Sequence, residues 1–352
     1  MVLLGFVAKT TKGVATEGHP YKRGARGGPG AVQGPQKAED ELEVSYVLRA
    51  REFVIGESLH KCASLVEEVG PGAWDFVLNN GSMLLVTARA DEQWLHLDAP
   101  VADERSGTRQ RQDAKYDAWQ LLKLNCGLGG LSKVALMPGQ STPRVRAEIP
   151  LDEEVDLARR LREACAGLKT AAGKLHGEKT REQIAVRPAS GATDEESSAV
   201  LKRLCEESGW KFTERSGPTL AVDLETRSGF YQAQVAEQFG GAISLTAELT
   251  AAAAPSEQSK QAIAGMLLRA SGLVKLSRAT IKETEAGATA SFEVLFQTPP
   301  CAAEFGHGLS ALAVACGLCG HAGEAMWDEV VARHYLAAQY SSTDSPAYVG
   351  NI

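Results

Sequence analysis

The sequence predicts an α+β protein built from two tandem copies of one domain, each ordered helix, antiparallel sheet, helix, two strands, helix. The first observation is an internal repeat at an offset of 145 residues. Leu131-Ser132-Lys133 corresponds to Leu276-Ser277-Arg278, and Ala147-Glu148-Ile149 corresponds to Phe292-Glu293-Val294. The second observation is that helical and period-two patterns follow one another in the same order on both sides of a polar linker. A repeat unit of this length indicates a duplicated domain and not a solenoid.

Length and composition exclude several classes of protein. The chain has 352 residues, 44% of them hydrophobic, which suits two domains that each bury a core. A net charge of -7 and a pI near 5.6 disfavour electrostatic binding to nucleic acid. No apolar run approaches the roughly 20 residues that span a bilayer. The seven cysteines look like reduced core residues, so we expect a cytoplasmic protein that binds neither nucleic acid nor membrane.

The chain divides into five predicted segments. Residues 1–43 are rich in glycine and contain few apolar side chains, so they cannot bury enough surface to fold and are expected to be a disordered tail. Residues 44–176 form copy one and residues 177–192 a polar linker. Residues 193–340 form copy two, and residues 341–352 a polar C-terminal tail.

The elements of copy one follow from its hydrophobic pattern. Apolar residues from Leu59 to Val69 recur at helical spacing, and Gly70-Pro71 is expected to end that helix. Alternating residues then predict three strands, followed by a helix, a strand pair and a closing helix. In order, these are Trp74–Leu78, Met83–Ala88, Trp94–Ala99, the helix through Tyr116–Leu124, the strands Lys133–Met137 and Arg144–Ile149, and the helix Glu153–Leu175.

Copy two repeats this order with one strand more than is predicted for copy one. A capping box at Thr193 and Glu196 opens its first helix, and Pro255-Ser256 starts its middle helix. The remaining predicted elements are the strands Trp210–Thr213, Thr219–Glu225, Tyr231–Glu237, Ala242–Leu249, a strand around Ala279 and Ala290–Phe296, the helix Ala302–Gly320, and an added helix Glu324–Ala338.

A family resemblance rests on the stretches in which a Leu-rich helix gives way to a strand, a turn and a second strand. Copy one shows this at Leu121–Leu136 and Arg144–Leu151, and copy two at Leu267–Ile281 and Ala290–Phe296. The order resembles the type III secretion chaperone-like fold and the related YbjN-like domains of bacteria, over residues 57–175 and 193–320. The resemblance implies dimers of small domains that hold partly unfolded protein segments and perform no chemistry. A covalent tandem with long tails departs from that pattern.

The motifs that resemble metal, redox or phosphate-binding sites are better explained by structural roles in helices. Cys316-x-x-Cys319 with His321 could suggest metal or redox chemistry, but it lies in an Ala-rich helical run and lacks a second ligand pair. Gly127-x-Gly129-Gly130 follows a helix and lacks the Lys-Ser/Thr of a phosphate loop, which favours a helix C-cap. We therefore predict no catalytic, cofactor-binding or metal-binding residues.

The middle helices carry the candidate binding surface. Trp119, Leu122, Met266 and Leu268 include more apolar surface than one sheet contact needs, so we expect them at a contact between the copies. The linker would then favour an intramolecular pseudo-dimer.

The predicted function is non-enzymatic binding of an unidentified protein partner by apolar grooves or sheet edges. One alternative is a small-ligand-binding or enzymatic protein with a cavity between sheet and helices. The other is a purely structural assembly module.

Overall fold

The computed structural model describes residues 35–80, 82–100, 117–137, 140, 142–175, 194–215, 217–238 and 240–343. The chain forms two compact units, Met1–Val47 and Leu48–Ile352, and both copies lie within the second unit from Leu48 onward. The predictions for residues 1–34, for the linker 177–192, for Thr193 and for the last residues from 344 onward fall outside the described residues.

Copy one forms a helix, four strands, a middle helix, two strands and a closing helix. Its elements are α1 (Pro35–Cys62), β1 (Ser64–Gly70), β2 (Ala73–Asn80), β3 (Ser82–Ala90), β4 (Trp94–Pro100), α2 (Ala118–Cys126), β5 (Ser132–Leu136), β6 (Pro143–Pro150) and α3 (Leu157–Leu175). The strands make one antiparallel sheet, sheet A, in the order β1-β2-β3-β4-β6-β5.

Copy two has the same order of elements and one further helix. Its elements are α4 (Asp194–Glu207), β7 (Phe212–Glu214), β8 (Thr219–Thr226), β9 (Gly229–Gln238), β10 (Ala242–Ala252), α5 (Glu257–Leu273), β11 (Arg278–Thr284), β12 (Gly287–Phe296), α6 (Ala302–Ala325) and α7 (Glu329–Thr343). Sheet B runs β7-β8-β9-β10-β12-β11, which is the order of sheet A strand for strand. The predicted α+β fold with two tandem copies is confirmed.

The predicted helix through Val69 is wrong after Cys62, because residues 64–70 form β1 and pair with β2. Copy one therefore has four strands before its middle helix, as copy two does. The register of β1 shifts between Ser64 and Val66 and again between Glu68 and Gly70, and Leu65 has a φ of 54°. Such irregularities remove the period-two alternation by which a strand is recognised in a sequence.

Other boundaries moved by a few residues. Helix α1 begins at Pro35 and so includes residues 35–43, which the sequence assigned to the tail. Helix α3 begins at Leu157 and not at the predicted Glu153. The side chain of Asp156, directly before the helix, accepts a hydrogen bond of 3.0 Å from the N–H of Arg159. Helix α7 ends at Thr343, three residues past the predicted end of copy two.

Each sheet buries one face under its closing helix. Helix α3 packs on β6, β5 and β2, and α6 packs on β10, β8, β9 and β12. Gly308 lets α6 approach closely, because a Cβ there would lie 2.7 Å from Leu245 and 3.3 Å from Phe296. The alternate side chains of the covered strands are buried, as the period-two pattern predicts.

Within the described part of the chain, α6 is long and apolar enough to cross a membrane by length and composition alone, with a mean hydropathy of 1.3 over its most apolar window. Half of that window is buried inside the fold. The packing of α6 on sheet B accounts for its apolar composition, since a core helix needs the same residues.

Two glycines of α5 provide a matched test of this packing. A Cβ on Gly272 would lie 2.2 Å from the carbonyl oxygen of Leu136 in β5, whereas a Cβ on Gly265 would meet no atom within 4 Å. We expect Gly265→Ala to raise the free energy of unfolding by about 0.5–1 kcal/mol through helix propensity. Gly272→Ala should lower it by about 1–3 kcal/mol, since the backbone of β5 must move. Urea denaturation measures both, and equal effects would contradict the close approach.

Candidate functional site

The two copies contact each other through their middle helices and the inner edges of their sheets. Helix α2 of copy one packs on β11 of copy two, and α5 of copy two packs on β5 of copy one. The two helices also pack against each other, and β5 lies beside β11. The exchange is reciprocal, since each copy places its middle helix on the other copy's edge strand.

The residues predicted for this contact lie on these two helices. Trp119 and Leu122 are buried in α2, Leu268 is buried in α5, and Met266 is half-buried against the core. Trp119 touches copy two directly, because its Nε1 donates to Glu283 Oε1 at 2.9 Å. Its ring also stands edge-on to Trp327 at 6.5 Å between centroids. The structure therefore places Trp119 at the junction of the copies.

Asn125 joins the edge strands of the two sheets. Its Oδ1 accepts from the N–H of Val134 at 2.7 Å, and its Nδ2 donates to the carbonyls of Val134 at 3.1 Å and Ala279 at 2.9 Å. In copy two, Ser271 of α5 accepts from the N–H of Ala279 at 2.8 Å. Buried side chains thus bind backbone groups that an edge strand would otherwise leave unpaired.

A buried basic side chain from each copy bonds to backbone carbonyls of the other. Lys133 is fully buried, and its Nζ donates to Val274 O at 2.7 Å and to Ser277 O at 3.4 Å. Arg278 is 2% exposed, and its Nη1 donates to Gly130 O at 3.1 Å and to Ser132 O at 3.2 Å. Lys133 and Arg278 are the equivalent residues of the internal repeat, so the two sets of bonds are reciprocal.

Each basic group also has a carboxylate on the neighbouring strand of its own sheet. Glu148 Oε2 lies 2.7 Å from Lys133 Nζ and also accepts from the N–H of Leu276 in copy two at 2.7 Å. Glu293 Oε2 lies 2.9 Å from Arg278 Nη2. Burial lowers the pKa of Lys133, and the Glu148 carboxylate opposes that shift. The lysine charge is tolerated because Glu148 and the copy-two carbonyls of Val274 and Ser277 surround it.

A third buried pair crosses between the closing helices. Arg160 of α3 binds Glu304 of α6 through two hydrogen bonds of 2.6 and 2.9 Å, and neither side chain is exposed. Burial opposes the charge of the guanidinium, but Glu304 and Glu163 raise the pKa of Arg160. Glu304 also accepts from the N–H of Cys301 at 2.9 Å, so one carboxylate caps α6 and holds α3.

The outer face of sheet A, opposite its core, carries basic side chains around a cleft of about 430 Å³. Its lining residues are Thr87, Arg89, His96, Asp98, Met137, Gln140, Arg144 and Arg146. Arg146 binds Asp98 through two hydrogen bonds of 2.7 Å. Arg144 donates to Gln140 at 3.0 Å, and neither Arg144 nor Arg89 forms an ion pair with another described residue.

The same face of sheet A has an apolar end, whereas the corresponding end of sheet B carries Phe230 among polar and acidic side chains. Val77 lies opposite Leu85, both half-buried, and the neighbouring Met83 is 75% exposed. The outer face of sheet B carries Phe230, which is 81% exposed on β9, and its other exposed side chains on the central strands are polar or acidic. These are Asp223, Glu225, Gln232, Gln234 and Glu248. The duplicated sheets therefore present different chemistry to their surroundings.

A second cleft of about 330 Å³ lies where the two copies meet. Trp94 and Asp152 of copy one and His307 of copy two line it. His307 Nε2 lies 3.0 Å from Asp152 Oδ2, and its ring stands 5.3 Å from that of Trp94. The first cleft lies on the outer face of sheet A, whereas the second is lined by Arg51 of α1 and His307 of α6 as well as by Trp94 of sheet A.

The cysteine and glycine motifs for which the sequence predicted structural roles lie in or at the ends of helices. Cys316 and Cys319 are buried in α6, and burial raises the pKa of each thiol to about 12. His321 is exposed. Gly127 is the C-cap of α2, as predicted. In the part of the chain that the structure describes, no group of three or more His, Cys, Asp or Glu could hold a metal ion.

Sequence reasoning missed the buried charges at the junction, although a signal was present. In both copies a basic residue precedes a glutamate by 15 positions, as Lys133 precedes Glu148 and Arg278 precedes Glu293. The internal repeat aligns Lys133 with Arg278 and Glu148 with Glu293, but the alignment alone does not show that these residues form ion pairs. Asn125 and Ser271 gave no such signal, since neither their type nor their spacing marks a strand edge.

No protein-family model matches the chain, and no curated protein matches it. The crystal structure of the di-domain ARO/CYC StfQ from the steffimycin biosynthetic pathway is similar at 13% identity, over 84% of this chain and 95% of that chain, with a TM-score of 0.13. A TM-score of this size does not indicate a shared fold, so this similarity supports no conclusion about fold or function.

Glu148 and Glu293 test the buried charges at the junction. Glu148→Gln leaves the buried ammonium of Lys133 without its carboxylate, and we expect it to cost about 3–5 kcal/mol of unfolding free energy. Glu293 is less buried, and Arg278 keeps its two carbonyl partners, so Glu293→Gln should cost about 1–2 kcal/mol. Chemical denaturation measures both variants. An equal loss of stability in both variants would contradict the inference that Lys133 depends more on its carboxylate than Arg278 does.

Asp91 predicts a pH dependence. Partial burial would raise its pKa, but hydrogen bonds from the N–H groups of Gln93 and Trp94, from His96, and the charge of Lys275 bring it down to about 2. A carboxyl with a lowered folded-state pKa stabilises the fold above its unfolded pKa of about 4. That stability is lost as the pH falls through the folded value.

We therefore expect the wild-type chain to lose part of its stability between about pH 4 and pH 2. Asp91→Asn should be less stable at neutral pH and lose less over that interval. Denaturation curves at pH 7, 4 and 2.5 measure this difference. Parallel losses in the two proteins would show that Asp91 does not contribute.

Proposed function

We propose that this chain is a non-enzymatic protein-binding module, in which two chaperone-like copies form an intramolecular pseudo-dimer and hold a segment of a partner protein. The observation that carries the proposal is the outer face of sheet A, where exposed apolar side chains lie beside a basic cleft. A surface of this kind on an otherwise polar sheet is typical of an interaction site. We place the protein in the cytoplasm, with neither nucleic acid nor membrane as its partner.

The arrangement of the copies supports this proposal. Type III secretion chaperone-like domains, which the sequence resembles, work as pairs. Here both copies have the same strand order, and reciprocal bonds from Lys133 and Arg278 cross between them within one chain. No second chain is needed to complete the pair.

The sheet edges are less suited to binding than the outer face. β1 has two register shifts and exposes Glu67 and Glu68, and β7 has only three residues. Irregular, charged or very short edge strands resist pairing with another chain. The inner edges, β5 and β11, lie at the junction of the copies. The proposed binding surface is therefore the face of sheet A around Met83 and Leu85.

Suppression of the aggregation of reduced insulin, followed by light scattering, tests this function. We expect the full chain to suppress aggregation, and the double variant Met83→Glu with Leu85→Glu to lose most of that effect. Both side chains point away from the core, so the variant should keep its fold, which circular dichroism checks. Gln234→Glu, on the outer face of sheet B, is the matched control and should act like wild type.

Two outcomes would contradict the proposal. The first is a wild-type chain that does not slow aggregation at equimolar concentration. The second is equal suppression by the sheet A variant and the sheet B control, which would place binding elsewhere on the molecule.

A further inference from the structure

The basic cleft on sheet A has two cationic ends and a neutral centre. Arg89 on β3 lies opposite His96 on β4, which lies opposite Glu148 on β6. Arg144 lies four residues before Glu148 on the same strand. Among described residues neither arginine has a carboxylate within ion-pair distance, whereas Arg146 between them is bonded twice to Asp98 at 2.7 Å.

Sheet geometry gives the separation of the two ends. Arg89 and Arg144 are two strands and four residues apart, which is about 10 Å across the sheet and about 14 Å along it. Their Cα atoms are therefore about 17 Å apart, and the side chains shorten the gap by leaning into the one cleft that both line. A single small anion would meet one end only, so the spacing favours an elongated ligand with two anionic groups.

We propose that this cleft binds an extended acidic segment of the partner protein, with one carboxylate at Arg89 and another at Arg144. Side chains on one face of an extended chain are about 7 Å apart for every second residue. Acidic residues separated by four positions thus span about 14 Å, and the residue midway between them faces the neutral Arg146–Asp98 pair. The expected pattern is acidic, any, polar, any, acidic.

The charges of the two sheets decide which copy takes the segment. The outward residues of sheet B include Asp223, Glu225 and Glu248, which would repel an acidic chain. The hydroxyl of Thr87, which lies opposite Asp98, adds a polar group in the middle of the cleft. Guanidinium groups suit carboxylates, because they present parallel N–H donors to both oxygens. This inference rests on the proposed function and names the chemistry of its partner.

Fluorescence anisotropy of a labelled peptide, Gly-Glu-Val-Thr-Val-Glu-Gly, tests the inference with the full-length chain. We expect binding that weakens at high salt. Arg89→Gln and Arg144→Gln should each weaken it about five- to tenfold, as expected for loss of a charge-assisted hydrogen bond. Arg215→Gln, at an exposed arginine directly after β7 of sheet B, is the matched control and should leave the affinity unchanged. A peptide with both glutamates replaced by glutamine should not bind.

The inference is overturned if the glutamine peptide binds as well as the acidic one, or if both arginine variants bind like the control. Placing the two glutamates next to each other tests the spacing, and equal affinity would also overturn it. Failure here is distinguishable from failure of the proposed function. If only this inference fails, the chain still suppresses insulin aggregation in a way that depends on Met83 and Leu85. If the chain does not suppress aggregation, both the proposed function and this inference fail.

Discussion

Two buried cations at the junction of the copies constrain the rest of the structure. An ammonium or guanidinium removed from water is stable only when hydrogen bonds and a counter-charge surround it. Lys133 and Arg278 obtain their carboxylates from their own copy but carbonyl groups from the other. Separating the copies would leave each cation short of partners. The reciprocal arrangement therefore makes the stability of each copy depend on contacts with the other.

The same junction also provides partners for backbone groups on the inner edge strands of the two sheets. A sheet of six strands has two edges, and each edge exposes unpaired backbone groups. Asn125 and Ser271 bind such groups on β5 and β11, and the middle helices pack over those strands. The outer edges are protected differently, by the irregular β1 and the short β7. With the edges occupied or protected, the face of sheet A remains for the binding that we propose.

The sequence predicted the order of elements because helices and strands differ in the period of their apolar residues. It failed at β1, where two shifts of register removed the alternation. The candidate interface residues Trp119, Leu122, Met266 and Leu268 could be chosen as excess apolar surface on two helices, and of these Trp119 bonds to copy two. The cleft could not, because Arg89, His96 and Arg146 come from three strands that only the sheet brings together. A single charged residue on a strand indicates only a solvated face.

Duplication within one chain has a further consequence for binding. A homodimer presents two identical outer faces, so any segment bound to one face can bind equally to the other. In this tandem the buried faces of both sheets remain apolar, while the outer faces have diverged in charge. Sheet A carries Arg89 and Arg144, and sheet B carries Asp223 and Glu248 at exposed positions. An acidic segment would then meet attraction on one copy and repulsion on the other, which fixes both where it lies and how many bind.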